Sequence, residues 1–319
     1  MTPQSRSRPL PRITIVTPAL GDDQYLEATL RSVIYQDYPN LEFIVIEDGA
    51  SGERRRVLEN YRSHFCWQSC APGTELCAAL NMAFANASGD ILDWLEPGEM
   101  FHVNAVAVIG GVFAALPDVE WITGRPFNFS ATGMPIGIKH LERWSRIRFL
   151  AGGNKYIHRE TTFWRQRLWE RAGGALATTY GAAGEFDLFI RFFRHARLYS
   201  VESLIGGYRA HPGNHSADGS HRRYNQICDE IADRELAGVS GTYAAKLFRR
   251  LTRIVAHIPK VRSWWHKYAL QGIYRCPGAD WHSRIVMRGD EWVFEKPNIA
   301  GSTAQTRARY AHFGGEAQP

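Results

Sequence analysis

TIVTPALGDDQYLEATLRSVIYQDYPNLEFIVIEDGAS, residues 14–51, contains the hydrophobic patterns that decide the fold. Its first residues, with Ile13 ahead of them, form a short β-branched run, so 13–17 reads as a buried strand. Leu26, Leu30, Val33 and Ile34 then recur at helical spacing across 25–35. Phe43, Ile44, Val45 and Ile46 form a second strand that stops at Glu47-Asp48-Gly49. The alternation continues with a polar helix over 53–61, a third strand over 65–69, an Ala- and Leu-rich helix over 75–86, a strand over 91–95 and a helix over 104–116. Strands alternating with helices imply a parallel sheet covered by helices on both faces. In such sheets ligands bind beyond the carboxyl ends of the strands.

Asp48 and the pair Glu96 and Glu99, in DILDWLEPGEMF (90–101), both fall just past strand ends and are expected to share one edge of the sheet. Two readings of that pair stay open on the residues alone. The carboxylates are solvated around a Pro-Gly turn, or they face a cation or a phosphate. The nucleotide-binding loops that would settle the matter are missing. The first strand is followed by PALGDDQYL, without G-x-G-x-x-G, and the chain has no G-x-x-x-x-G-K-[ST].

The chain has 319 residues, of which 45% are hydrophobic and 22% charged, enough for a sizeable core in one composite domain or two. A formal net charge of +6 suits an anionic partner without choosing one. No zinc-finger or RNA-recognition signature is present and the basic residues are scattered, which argues against nucleic acid. The cysteines at 66, 70, 77, 228 and 276 follow no metal or disulfide spacing, so a reducing compartment is expected. MTPQSRSRPLPR has no apolar signal region, and 105–116 is too short to span a bilayer; a cytoplasmic protein is expected.

The middle third reads as a strand over 119–123, a helix over 168–172 ending at Gly173-Gly174, an amphipathic helix over 186–195 and a loop over 209–216. Helices follow over 224–236 and 243–258. The stretch 246–268, KLFRRLTRIVAHIPKVRSWWHKY, is basic and amphipathic. It suits either peripheral association with an anionic membrane or packing against the rest of the chain.

Four blocks in this order resemble a family 2 glycosyltransferase: 14–51, ALNMAFANASGDILDWLEPGEMF (79–101), IHRETTFWRQRLWERAGG (157–174) and GEFDLFIRFFRHARLYSVESLIGGYRAHPGNHS (184–216). The resemblance implies an α/β fold of the GT-A, Rossmann-like type: a mostly parallel sheet with helices on both faces, plus a largely helical C-terminal extension. It implies a nucleotide-sugar half over 12–116, an acceptor half over 117–216 and the extension over 217–319. The implied activity is inverting, non-processive transfer from a nucleotide-diphosphate sugar to a hydroxyl of a glycan or lipid-linked glycan in polysaccharide biosynthesis. A degenerate relative that binds without turnover is the alternative.

By the same resemblance Asp48 reads the nucleotide base, for which a carboxylate accepting an imide N–H is apt. Thr17, Pro18 and Asp90 contact the nucleoside, Trp164 is an acceptor platform, and Arg209 meets phosphate. The family's D-x-D type motif, which grips a divalent cation (Mn²⁺ or Mg²⁺), falls on Glu96-Pro97-Gly98-Glu99, where the central Asp is replaced by Gly98. The metal ligands it implies are Glu96, Glu99 and His211. Glu185, before the helix over 186–195, falls on the catalytic acid, usually Asp, and reaches about 1.5 Å further by its extra methylene. An acid at that place also suits a simple helix cap.

Overall fold

A computed structural model describes residues 9–21, 24–49, 51–150, 156–210, 220–238, 243–256 and 284–295. The first 116 residues form the expected alternation: β1 (Ile13–Ala19), α1 (Leu26–Ile34), β2 (Leu41–Glu47), α2 (Gly52–Asn60), β3 (Cys66–Ser69), α3 (Leu76–Phe84), β4 (Ile91–Trp94), the short β5 (Glu99–Phe101) and α4 (Ala105–Ala115). Then come β6 (Trp121–Ser130), β7 (Pro135–Ile138), α5 (Arg146–Leu150), β8 (Thr162–Arg165), α6 (Gln166–Arg171), α7 (Gly184–His195) and β9 (Leu198–Ala210). The remaining elements are α8 (Ser220–Gly238), α9 (Tyr243–Ala256), β10 (Arg284–Arg288) and β11 (Glu291–Glu295).

The sheet runs β11-β10-β9-β6-β8-β4-β1-β2-β3, with β5 pairing β9 and β7 pairing β6. Strands β3, β2, β1 and β4 are parallel, with Ile13 opposite both Leu41 and Ile91. The antiparallel β8 then separates β4 from β6, and β6 and β9 are again parallel. Alternate strand residues feed two cores, as a two-faced sheet requires. Val16, Ile44, Leu92, Trp94 and Trp164 join α3 and α7 on one face. Ile13, Ile15, Val45, Ile91 and Phe163 join α1 and α4 on the other.

The S-V-x-x-Q-x-Y-P-N run after α1 begins serves as a latch. Ser32 Oγ accepts from Phe101 N–H at 3.2 Å, and Gln36 bridges His102 O at 3.0 Å and Val106 N–H at 3.1 Å. Tyr38 donates to Pro11 O at 2.5 Å and Asn40 to Leu10 O at 2.9 Å. Helix α1 thereby fixes the segment that follows β4, where the expected site lies.

One expectation is corrected. The stretch 209–216 begins as strand, because β9 extends to Ala210; its remainder lies outside the described residues, as does the tail beyond residue 295. The described part of the C-terminal extension is largely helical, as expected, and it also carries a β-hairpin. Its β10–β11 hairpin joins the main sheet through β9, and Trp292 packs on the core near α4. Helix α8 also contributes Cys228, Ile231, Ala232 and Leu236 to the core that holds Trp121.

Gly206 in β9 explains how closely the sheet supports the 3-10 turn Arg159–Thr161. A Cβ added there would lie 1.9 Å from Glu160 O. Gly206→Ala is therefore expected to cost about 3 kcal/mol of stability by overpacking, read as a lower midpoint in urea unfolding. An unchanged midpoint would show that the turn does not sit against β9.

Candidate active site

A cleft of about 440 Å³ opens at the carboxyl ends of β1, β2 and β4, lined by Pro18, Leu20, Gly21, Asp48, Gly73, Thr74, Leu76, Glu96 and Pro97. This is the edge that parallel topology selects, and the volume falls in the range of ligand sites. Asp48 stands on its wall. Arg54 pairs with its Oδ1 at 3.0 Å, and Gly73 N–H approaches its Oδ2 at 3.4 Å. The neighbouring Glu47 turns away, accepting from Gly49 N–H and Ser69 Oγ, each at 2.6 Å.

Glu96-Pro97-Gly98-Glu99 is a tight turn closed by Glu99 N–H on Glu96 O at 3.0 Å. Pro97 occupies its second position and Gly98, at φ +94°, its third, which is the type II pattern. The missing central Asp thus has a backbone cause: that position is left-handed and favours glycine. Thr29 locks the turn from α1, accepting from Gly98 N–H at 3.0 Å and donating to Glu99 O at 2.7 Å. The two carboxylates part company here. The Glu99 side chain is 11% exposed and turns inward, where its Oε2 accepts from Glu96 N–H at 2.8 Å; the Glu96 side chain is 38% exposed and faces the cleft.

Between these acids and α7 sits Arg159, a buried residue that the sequence reading passed over. Its Nη2 bonds Glu99 Oε2 closely and lies 3.3 Å from Glu96 Oε1; its Nε lies 3.7 Å from Glu185 Oε2. Its Nη1 donates to Trp94 O at 2.6 Å, and the guanidinium stacks 5.0 Å from the Trp94 ring. Burial pushes the Glu99 carboxyl up to about 8, against the pull of Arg159. Asp93, fully buried in β4, is also raised by burial. A carboxylate inside the apolar run ILDWL was a signal for this charged centre, and so was Arg159 within HRET.

The N-cap residue of α7, Ala183, makes no side-chain capping bond, and Glu185 stands in the first turn, where the helix dipole favours an acid. Glu185 Oε1 accepts from Tyr224 of α8 at 3.2 Å, while its Oε2 faces Arg159. Burial raises its carboxyl to about 7, with Arg159 opposing and Glu96 reinforcing the shift. Gly184 is small for a reason, since a Cβ there would lie 2.6 Å from Cys77 Sγ in α3. Asp187 pairs with Arg191 at 2.8 Å and is structural.

The other expected residues divide. Pro18 lines the cleft, whereas Thr17 is fully buried in β1. Asp90 is corrected: it lies at the amino end of β4 and accepts from Arg12 N–H at 3.1 Å, at the opposite edge of the sheet from the cleft. Trp164 is also corrected as a platform. It is fully buried, with ring centroids 5.5 Å from both Trp94 and Phe192. Arg209 is 4% exposed, its guanidinium between Tyr25 at 4.4 Å and Phe129 at 4.7 Å, and donates to Ala131 O at 2.6 Å. That packing does not present it to the cleft. His158 pairs with Glu160 at 3.1 Å. His211 lies outside the described residues. Among the described residues, no three His, Cys, Asp or Glu side chains gather to hold a metal ion. Glu99, one of the expected ligands, is committed to Arg159 and the Glu96 N–H, so the described acids do not fit a divalent-cation site.

Residues 14–96 match the glycosyl transferase family 2 profile. An uncharacterized glycosyltransferase of Rickettsia conorii is 23% identical over 280 residues, covering 77% of this chain and 43% of the relative. Another, from Rickettsia prowazekii, is 23% identical over 211 residues, 63% of this chain and 64% of the relative. The chain thus matches only part of the length of these relatives. A putative teichuronic acid biosynthesis glycosyltransferase of Bacillus subtilis is 24% identical over 128 residues, 39% of this chain and 46% of the relative. Among solved structures, S. aureus TarS in complex with UDP superposes with a TM-score of 0.53 at 13% identity, covering 90% of this chain and 97% of that one. A mannosyltransferase of Pyrobaculum calidifontis, in complex with GDP-Man and Mn²⁺, gives 0.50 at 14% identity, covering 83% and 86%. The profile match over β1 to β4 and the GT-A-type fold around the cleft make this part of the chain similar to the family 2 glycosyltransferases.

Proposed function

We propose that the chain transfers a sugar, with inversion, from a nucleotide-diphosphate sugar to a hydroxyl of a glycan or lipid-linked glycan. The observation that carries this reading is Glu185, a partly buried carboxylate with a pKa near neutrality, linked through Arg159 to Glu96 on the cleft wall. Asp48 would accept the imide N–H of the base. The diphosphate would lie toward the start of α3, where Gly73, Thr74 and Leu76 line the cleft and no side chain caps the helix; helix N-termini favour such anions. The acceptor oxygen forms its bond to the anomeric carbon as its proton passes to Glu185. The bond from that carbon to the diphosphate breaks on the opposite side, and the nucleoside diphosphate leaves with the electron pair. The name of the Bacillus subtilis relative, which refers to teichuronic acid biosynthesis, supports a polysaccharide as the acceptor class.

Glu185→Gln is expected to lower kcat by ~10²–10⁴-fold, the usual weight of a general base, while UDP, GDP or dTDP affinity stays unchanged. The base acts ionised, so kcat/KM of the native chain should rise about tenfold per pH unit below about 7 and level off above it. Transfer that survives the substitution and keeps that profile would remove Glu185 from the mechanism. Nucleotide binding with no turnover of any sugar nucleotide would favour the degenerate alternative.

The acceptor class also bears on 246–268. Arg249 ties α9 to Asp229 and Asp233 of α8 at 2.6 and 2.7 Å, while Leu247, Leu251 and Ile254 stay exposed at helical spacing. No helix among the described residues is long and apolar enough to cross a membrane. We propose that this exposed row and its flanking cations meet an anionic membrane that carries the acceptor. Leu251→Asp with Ile254→Asp should reduce cosedimentation with phosphatidylglycerol vesicles at least tenfold; undiminished cosedimentation would assign α9 to packing alone.

A further inference from the structure

The glycosyltransferase reading puts a diphosphate in the cleft whose wall includes Glu96, and the acids of the Glu96–Glu99 turn are already engaged. Arg159 touches Glu99 and Glu96 with one nitrogen and Glu185 with another, and a third group donates to Trp94 O. Glu99 Oε2 receives both Arg159 and Glu96 N–H. A hard divalent cation needs carboxylate oxygens at about 2.0–2.6 Å and several of them at once. Here it would have to displace a buried guanidinium whose donors have no solvent to turn to, and it would approach that guanidinium as a like charge.

We infer that Arg159 takes the place of a divalent cation in this site: it neutralises the acids of the Glu96–Glu99 turn, fixes Glu185 relative to them, and leaves donor binding independent of metal. This rests on the proposed nucleoside-diphosphate reading of the cleft. Arg159 is a positioning residue here, because its nitrogens are committed to protein carboxylates and a carbonyl. The turn supports the same conclusion. With Gly98 in the left-handed region and Glu99 turned inward, only Glu96 of the former motif faces the cleft. Among the described residues, that leaves a single carboxylate of the motif for Mn²⁺ or Mg²⁺, a poor ligand set.

The test is a titration of the full chain, stripped with EDTA, using MnCl₂ alone and following free Mn²⁺ by electron paramagnetic resonance. The native chain should show no saturable site tighter than about 1 mM. Arg159→Gln, which frees the acids, should gain one site, and adding Glu99→Gln should remove it. A saturable site in the native chain that Glu99→Gln abolishes overturns the inference. So does a folded Arg159→Gln chain that gains no site. Where Arg159→Gln fails to fold, the native chain compared with Glu99→Gln decides alone. No nucleotide enters this titration, so its outcome is separate from that of the functional reading, which falls if UDP, GDP and dTDP all fail to bind.

Discussion

A buried guanidinium must have its donors satisfied, and Arg159 satisfies them with groups from two distant parts of the chain, residues 94–99 and residue 185. The end of β4 supplies Trp94 O, the following turn supplies Glu96 and Glu99, and the start of α7 supplies Glu185. Taking away one side of such a buried pair typically costs about 3–5 kcal/mol, so these segments hold one another in register. Gly206 under Glu160 O and Thr29 under the turn complete the support from β9 and α1. Glu185, the proposed general base, and the cleft wall therefore belong to one charged unit rather than to independent loops.

The same unit sets the electrostatics of the proposed chemistry. Burial raises Glu185 toward neutrality while Arg159 opposes that shift, and the balance leaves a carboxylate that exchanges its proton near working pH. A raised carboxyl pKa also has a cost. The folded state holds the proton that the unfolded chain releases between about 4.5 and 7, so this group's contribution to stability falls as pH rises through that window. Functional sites often carry such a local debit, offset by packing elsewhere. Here the offset lies in the aromatic core of Trp94, Trp164, Trp169, Phe84 and Phe192 next to the site.

How far the sequence could be read follows from the physics of each part. Strands β1, β2 and β4 are buried on both faces, so they appear as continuous apolar runs, and parallel topology then brings Asp48 and Glu96 to one edge. The long β9 lacked that pattern because its pairing shifts register along β6 and Gly206-Gly207 interrupts its side chains. Trp164 shows a different limit. Aromatic composition is the same in a sugar platform and in a core, and only the tertiary placement separates them. Asp90 was misplaced because a residue before a strand lies at the opposite edge from one after it. Arg159 went unnoticed because a single Arg in a polar stretch carries no periodic signal, although Asp93 within an apolar strand hinted at a buried charge to be balanced.

The central claim is that the cleft binds a nucleoside diphosphate without a metal, with Arg159 in the cation's place. Its most direct measurement is calorimetric titration of UDP, GDP and dTDP into the native chain, once in EDTA and once in Mn²⁺. The account predicts that one nucleotide binds, with a dissociation constant equal in both buffers to within about twofold. Binding that appears only in Mn²⁺ would contradict it.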